Sequence, residues 1–191
     1  RNTAIGYNSL QASTTASYNT AVGDSALYTN TTGSHNAALG YGALKSNTTA
    51  SYNTICGVDA GQDNTTGAYN VAVGAYAFQK NTTGGWNTAV GQAALQENTT
   101  AHYNVAVGRS AMEKNTTGTN NVAVGYKALM TNTENSYNTA IGHQAMYSNT
   151  VGGERNTALG YEALYTNTTG DKNVAVGMNA VKSSTNASYN T

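Results

Sequence analysis

The chain has no proline, one cysteine, one phenylalanine and one tryptophan among 191 residues, and only 9% of its residues are charged. Each scarcity removes a possibility. Lone Cys56 cannot close a disulfide within the chain, and so few cysteines suit an exposed surface protein as well as a cytosolic one. Nine basic residues balance nine acidic ones without clustering, so the polybasic grip that nucleic acid demands is missing. No run of 18 apolar residues exists, so no membrane insertion is expected in this segment, and no secretory leader pattern is present. Apolar residues make up 39%, short of the near-half that fills an ordinary globular core. Shuffled, such a polar composition would remain disordered.

It is not shuffled. Asparagine opens a phrase at residues 2, 19, 36, 53, 70, 87, 104, 121, 138, 156, 173 and 190. The step is 17 residues throughout, except for 18 between Asn138 and Asn156. That extra residue is expected at Gly152 or Gly153, in a turn. The chain therefore reads as a single repeat domain over 1–191, with eleven coils, one of them (138–155) of 18 residues. It opens and closes in mid-phrase, which suggests a fragment of a longer repeat protein.

The unit is N-[TV]-A-[VIL]-G-x-x-A-[LM]-x-x-N-T-T-[GA]-x-Y. A fixed period in the tens of residues marks a solenoid, and 17 is too short for two packed helices. Two short strands and two turns fit: "TAV" as the first strand, "xALx" as the second, "NTTG" as a turn between coils. The fold class expected is all-β, a parallel β-solenoid or β-roll with one coil per 17 residues. Position 5 is glycine in every unit, from Gly6 to Gly177, which calls for a positive φ or a close backbone approach. Position 9 is a large apolar residue in all units but one, where Gly61 stands. Asparagine at positions 1 and 12 is expected to form amide ladders along the axis, and invariant threonine at position 13 a second polar ladder.

The phrases "NTAVGQAALQENTT" (87–100) and "NTALGYEALYTNTTG" (156–170) resemble two known kinds of repeat. One is the N-S-x-A-I-G repeat of the YadA-like heads of trimeric autotransporter adhesins. The other is the NTTG-spaced "NTAVGYxAL" repeat of phage tail-fibre and bacterial surface-fibre proteins. The resemblance spans the whole chain, although the 17-residue period exceeds that of the adhesin heads. It implies a left-handed β-roll wound as a homotrimer, with two further copies of the chain as partners. It also implies an extracellular, cell-surface or virion location and an adhesive or structural role. A phage tail-fibre shaft for host recognition is the alternative.

The residues themselves also argue for an oligomer. Positions 3 and 4 are both apolar in every unit, and positions 8 and 9 in nearly every unit. Neighbours in a strand face opposite sides, so an apolar stripe is expected to lie bare unless copies cover it.

Nothing in the sequence assembles a catalytic centre, so no enzyme and no cofactor are expected. His35, His102 and His143 fall in non-adjacent coils and at different positions. Asp59 and Asp63 lack the spacing of a calcium loop. Cys56 stands where other coils have Val or Ile and is expected to be a small buried hydrophobe. An ice-binding face would need a flat Thr-x-Thr array, whereas positions 13 and 14 are neighbours.

Two features offer binding chemistry. Position 17 stacks aromatics, among them Tyr52, Tyr69, Trp86 and Tyr103, interrupted by His35, Asn120, Arg155 and Lys172. These four could contact surface glycans or a host-cell receptor, or they could form a packed ladder in which each ring covers the next. N-x-[ST] sequons recur at Asn30, Asn47, Asn64, Asn81, Asn98, Asn115 and Asn167, and once more at Asn186, as possible glycosylation positions.

Overall fold

A computed structural model describes residues 1–150 and 152–190. Positions 2–4 of each unit form a three-residue strand: β1 (Thr3–Ile5), β2 (Thr20–Val22), β3 (Ala37–Leu39), β4 (Thr54–Cys56), β5 (Val71–Val73), β6 (Thr88–Val90), β7 (Val105–Val107), β8 (Val122–Val124), β9 (Thr139–Ile141), β10 (Thr157–Leu159) and β11 (Val174–Val176). Each strand pairs in parallel with its sequence neighbours, giving an eleven-stranded sheet in chain order. Thr88 pairs with Val105, one period on; only between β9 and β10, where Thr139 faces Thr157, is the step 18. The molecule is a parallel β-solenoid. At ~4.8 Å per strand the sheet is roughly 48 Å long.

Alternation along the strand sets inside and outside. The middle alanine, such as Ala72 or Ala89, is fully buried, while Val71 and Val73 on either side are 39% and 40% exposed. Glycine then ends the strand for both reasons expected. Gly91 has φ +132°, and a Cβ there would lie 2.6 Å from the carbonyl carbon of Gly108 in the next coil.

The expected second strand is not one. Over "xALx" the chain makes hydrogen-bonded turns, and positions 7 and 9 both take left-handed backbone although neither is usually glycine. Ser25 and Leu27 have φ of 59° and 51°; Ala93 and Leu95 have 58° and 50°. The amides still reach neighbouring coils, in opposite directions. Ser25 N–H donates to the Tyr7 carbonyl one coil before (2.9 Å), and Leu27 N–H to Ala43 one coil after (3.0 Å). Left-handed residues cancel the in-out alternation, so Ala26 and Leu27 are both buried, as are Ala94 and Leu95. Strained backbone costs about 1 kcal/mol or more per residue. Burying a leucine returns roughly 1.5–3 kcal/mol. Positions 8 and 9 therefore leave no bare stripe. Only the outer face of the sheet does.

The interior of a coil is thus three apolar side chains, usually Ala, Ala and Leu, closed on its remaining side by two asparagines. One coil differs. Ile55 replaces alanine at position 3, and Gly61 replaces leucine at position 9. A Cβ on Gly61 would lie 3.4 Å from Leu44 Cδ2 and 3.5 Å from Ile55 Cγ2, so Ile55 grows into the space that leucine fills elsewhere. At the long coil, Asn149 Nδ2 donates to the Gly153 carbonyl (2.9 Å), as Asn132 does to Asn135 (3.0 Å). Gly153 therefore keeps a regular repeat place. The insertion precedes it, beside Gly152, which has φ +82° and open space around it.

Candidate functional site

The asparagines are the framework of the coil. Asn36 at position 1 donates through Nδ2 to the Ala50 carbonyl at the end of its own coil (2.8 Å). Its Oδ1 accepts the backbone N–H of Asn53 in the next (3.0 Å). Position 12 makes a direct amide ladder: Asn81 Nδ2 donates to Asn64 Oδ1 (2.6 Å), and Asn98 Nδ2 to Asn81 Oδ1 (2.8 Å). Each position-12 amide also reaches the position-15 carbonyl of its own turn, as Asn81 does to Gly84 (3.0 Å). The ladder ends where Ser184 replaces asparagine, and there Asn167 Oδ1 is left buried without a partner.

These are the sequon residues. Asn30, Asn47, Asn81, Asn98, Asn115 and Asn167 are fully buried and Asn64 is 1% exposed. Every Nδ2 that a sugar would need is turned inward and bonded. Attachment at any of them has to precede folding. Asn186 is exposed.

The threonine of repeat position 13 is bonded to backbone, not to the next threonine side chain. The carbonyl of Thr48 accepts from Thr31 N–H (2.9 Å), Thr31 Oγ1 (3.0 Å) and Thr32 N–H (3.2 Å), and this convergence recurs along the axis. Its hydroxyls are consumed in holding coils together. Position 14, by contrast, points outward and is exposed wherever it is threonine.

The aromatics of position 17 stack face to face. Tyr52 and Tyr69 have ring centroids 5.0 Å apart at 4°, Tyr69 and Trp86 5.3 Å at 11°, and Trp86 and Tyr103 5.5 Å at 20°. His35 does not interrupt the column. Its ring lies 5.0 Å from Tyr18 and 4.9 Å from Tyr52, as a full member. Six rings thus form one unbroken stack whose faces cover each other and whose edges remain about half exposed. Beyond Asn120 the column becomes cationic and aromatic, with Arg155 over Tyr137 (5.6 Å) and Lys172 over Tyr189 (4.7 Å).

Cys56 departs from expectation. It is half-buried on the outer face of β4, because position 4 faces outward and only position 3 enters the core. It lines a shallow apolar hollow with Val22, Leu39 and Ala37. The other position-4 side chains continue this outer face; Leu39, Val73, Ile141 and Leu159 are 51%, 40%, 38% and 45% exposed.

The histidines lie at separate places. His102 Nδ1 accepts the Gly85 N–H (2.9 Å), and His143 packs between Tyr126 and Tyr161. Among the described residues, no three His, Cys, Asp or Glu side chains come together as a metal site. The Asp59 carboxylate occupies the space that a Cβ on Gly42 would fill, and Asp63 is exposed. Near the last coils Lys182 pairs with Glu162, and that hydrogen bond holds the Glu162 carboxyl below its usual range. Comparison with protein-family models, with curated proteins and with solved structures finds no match.

Proposed function

We propose that the chain is a structural and adhesive segment of an extracellular fibre, on a cell or virion surface, in which three copies wind about one axis. The observation that carries the reading is the outer face of the sheet. Position 4 is apolar in every coil, and positions 2 and 4 hold no charged residue from β1 to β11. With strands about 10 Å long and a stack of roughly 48 Å, the stripe approaches 500 Å². That rivals the largest apolar patches that monomers leave bare. A second copy offers an identical stripe of equal length and pitch, which makes the chain its own best partner. The number three follows from the adhesin resemblance.

Light scattering on the chromatographed chain tests the proposal. A trimer supports it, and a dimer keeps the covered stripe while removing the family analogy. A stable monomer contradicts it. Val73→Lys together with Val90→Lys, outward in neighbouring strands, should shift the trimer towards monomer with the β-type circular dichroism retained.

A further inference from the structure

Two exposed columns run along the solenoid axis, and they end one coil apart. One is the stack of six rings from Tyr18 to Tyr103. The other is the exposed threonine of position 14, every seventeenth residue from Thr15 to Thr117. Over this stretch, positions 13 to 17 include no Lys, Arg, Asp or Glu. Charge enters in the three coils that follow: Glu134 takes the threonine place in a coil that keeps Tyr137, and Glu154, Arg155, Asp171 and Lys172 occupy positions 16 and 17 of the next two.

The fold does not require this difference. Arg155 and Lys172 hold the same left-handed backbone as the aromatics, with φ of 57° and 54° against 62° at Tyr52 and 56° at Trp86. Their amides also bond one coil back as the others do, Lys172 N–H to the Glu154 carbonyl (2.9 Å) and Trp86 N–H to the Ala68 carbonyl (3.0 Å). Charge is therefore tolerated at these positions, yet it is missing from seven successive coils. A neutral strip of hydroxyls and ring edges is a property of that region beyond what its architecture needs.

The geometry restricts what such a strip can hold. Ring faces are covered by neighbouring rings, so a single flat sugar or aromatic cannot stack on one. What is offered repeats along the axis, at ring spacings of 4.9 to 5.5 Å: one half-exposed aromatic edge and one exposed threonine in each coil up to Tyr103. The absence of cations disfavours nucleic acid and sulfated or carboxylated polymers. An extended β-linked hexose chain is neutral, presents hydroxyls and apolar C–H edges, and advances by close to one coil per residue. We infer that the first seven coils form a binding strip for a neutral, unbranched, β-linked polysaccharide lying along the solenoid axis.

This names what the adhesive segment would hold and so rests on that reading. The readouts separate the two, because copy number is measured by light scattering and the ligand by sugar titration. Each rung contributes weakly, and the polymer gains by holding many rungs at once.

Trp86 is the only tryptophan and sits inside the stack, so its fluorescence reports on the strip. The full chain is titrated with β-1,4-linked glucose oligomers of graded length and with sulfated oligomers of equal length. The expected result is a Trp86 response whose affinity climbs with oligomer length and levels off near seven units, with no gain from sulfation. Thr66→Glu with Thr83→Glu copies the residue that Glu134 already places in a folded coil, and should weaken binding by roughly tenfold or more. Thr169→Glu, outside the strip, should leave it unchanged, and circular dichroism verifies that both variants fold. Affinity independent of length, preference for the sulfated oligomers, no binding at all, or full binding by the folded Thr66→Glu/Thr83→Glu variant would each overturn the inference.

Discussion

The coil from Asn53 to Tyr69 and the coils on either side of it reach the same cross-section from different side chains. Its neighbours fill the interior with Ala72 and Phe78, or Ala38 and Leu44; this coil uses Ile55 and Gly61. What moved is apolar volume, from position 9 to position 3, within one layer. What did not move is the amide framework. Asn53 and Asn64 are bonded as Asn70 and Asn81 are, to the next coil and to the position-15 carbonyl. The interior therefore has two kinds of constraint. The apolar half fixes a volume that several side-chain sets can supply, whereas the polar half fixes individual hydrogen bonds that only asparagine supplies.

If that division is right, Asn64→Ala and Asn81→Ala should be equally damaging in the two kinds of coil. Each removes a buried amide from a ladder and strands groups above and below, at about 1–3 kcal/mol per stranded group, or roughly 4 kcal/mol in all. Chemical denaturation measures this, and a mild loss at either position would break the comparison. Ile55→Ala should cost about 3 kcal/mol, because no leucine stands opposite to limit the cavity. Gly61→Leu alone should cost roughly 2 kcal/mol by overpacking against Leu44 and Ile55. The double variant restores the arrangement of the neighbouring coils and should return to within about 1 kcal/mol of the parent, a large favourable coupling. Additive losses would mean that the two positions do not share a layer. Cys56→Val, on the outer face of the same coil, should alter the unfolding midpoint by no more than about 0.5 kcal/mol.

How far this was legible depends on whether a residue type advertises its conformation. Asparagine spacing gave the period, the register and the first strand, and the invariant glycine announced both its positive φ and its contact with the next coil. The left-handed turns over "xALx" left no such trace. Ser25, Leu27, Lys127 and Glu162 take positive φ without being Gly or Asn, so the alanine-leucine pair read as a two-faced strand. Half of the expected apolar stripe is therefore core. Cys56 lies on the outer face although position 4 resembles a core position in composition, because the two differ only in which way the strand turns the side chain. The exchange between Ile55 and Gly61 showed as two oddities in one coil, but their compensation needs the contact to be seen. The asparagine ladders were visible, whereas their anchor on the position-15 carbonyl was not, since nothing in Gly33 or Ala50 marks a carbonyl as an acceptor. Of the candidate contact residues, the stacking of Tyr52, Tyr69, Trp86 and Tyr103 was foreseeable from spacing. The place of His35 within that stack was not, because a histidine among tyrosines reads as a gap.

A file of side-chain amides, sealed inside the coils, holds the solenoid together. Exchange of asparagine Nδ2 protons with deuterium, followed by NMR on the folded chain, tests it most directly. Strong protection is expected at Asn30 through Asn167 of position 12 and at Asn19 through Asn173 of position 1. Exposed Asn120, Asn179 and Asn186 should exchange at the rate of a free amide. Rapid exchange at the position-12 asparagines of a chain that retains its β-type circular dichroism would show that the amide ladder does not hold the coils.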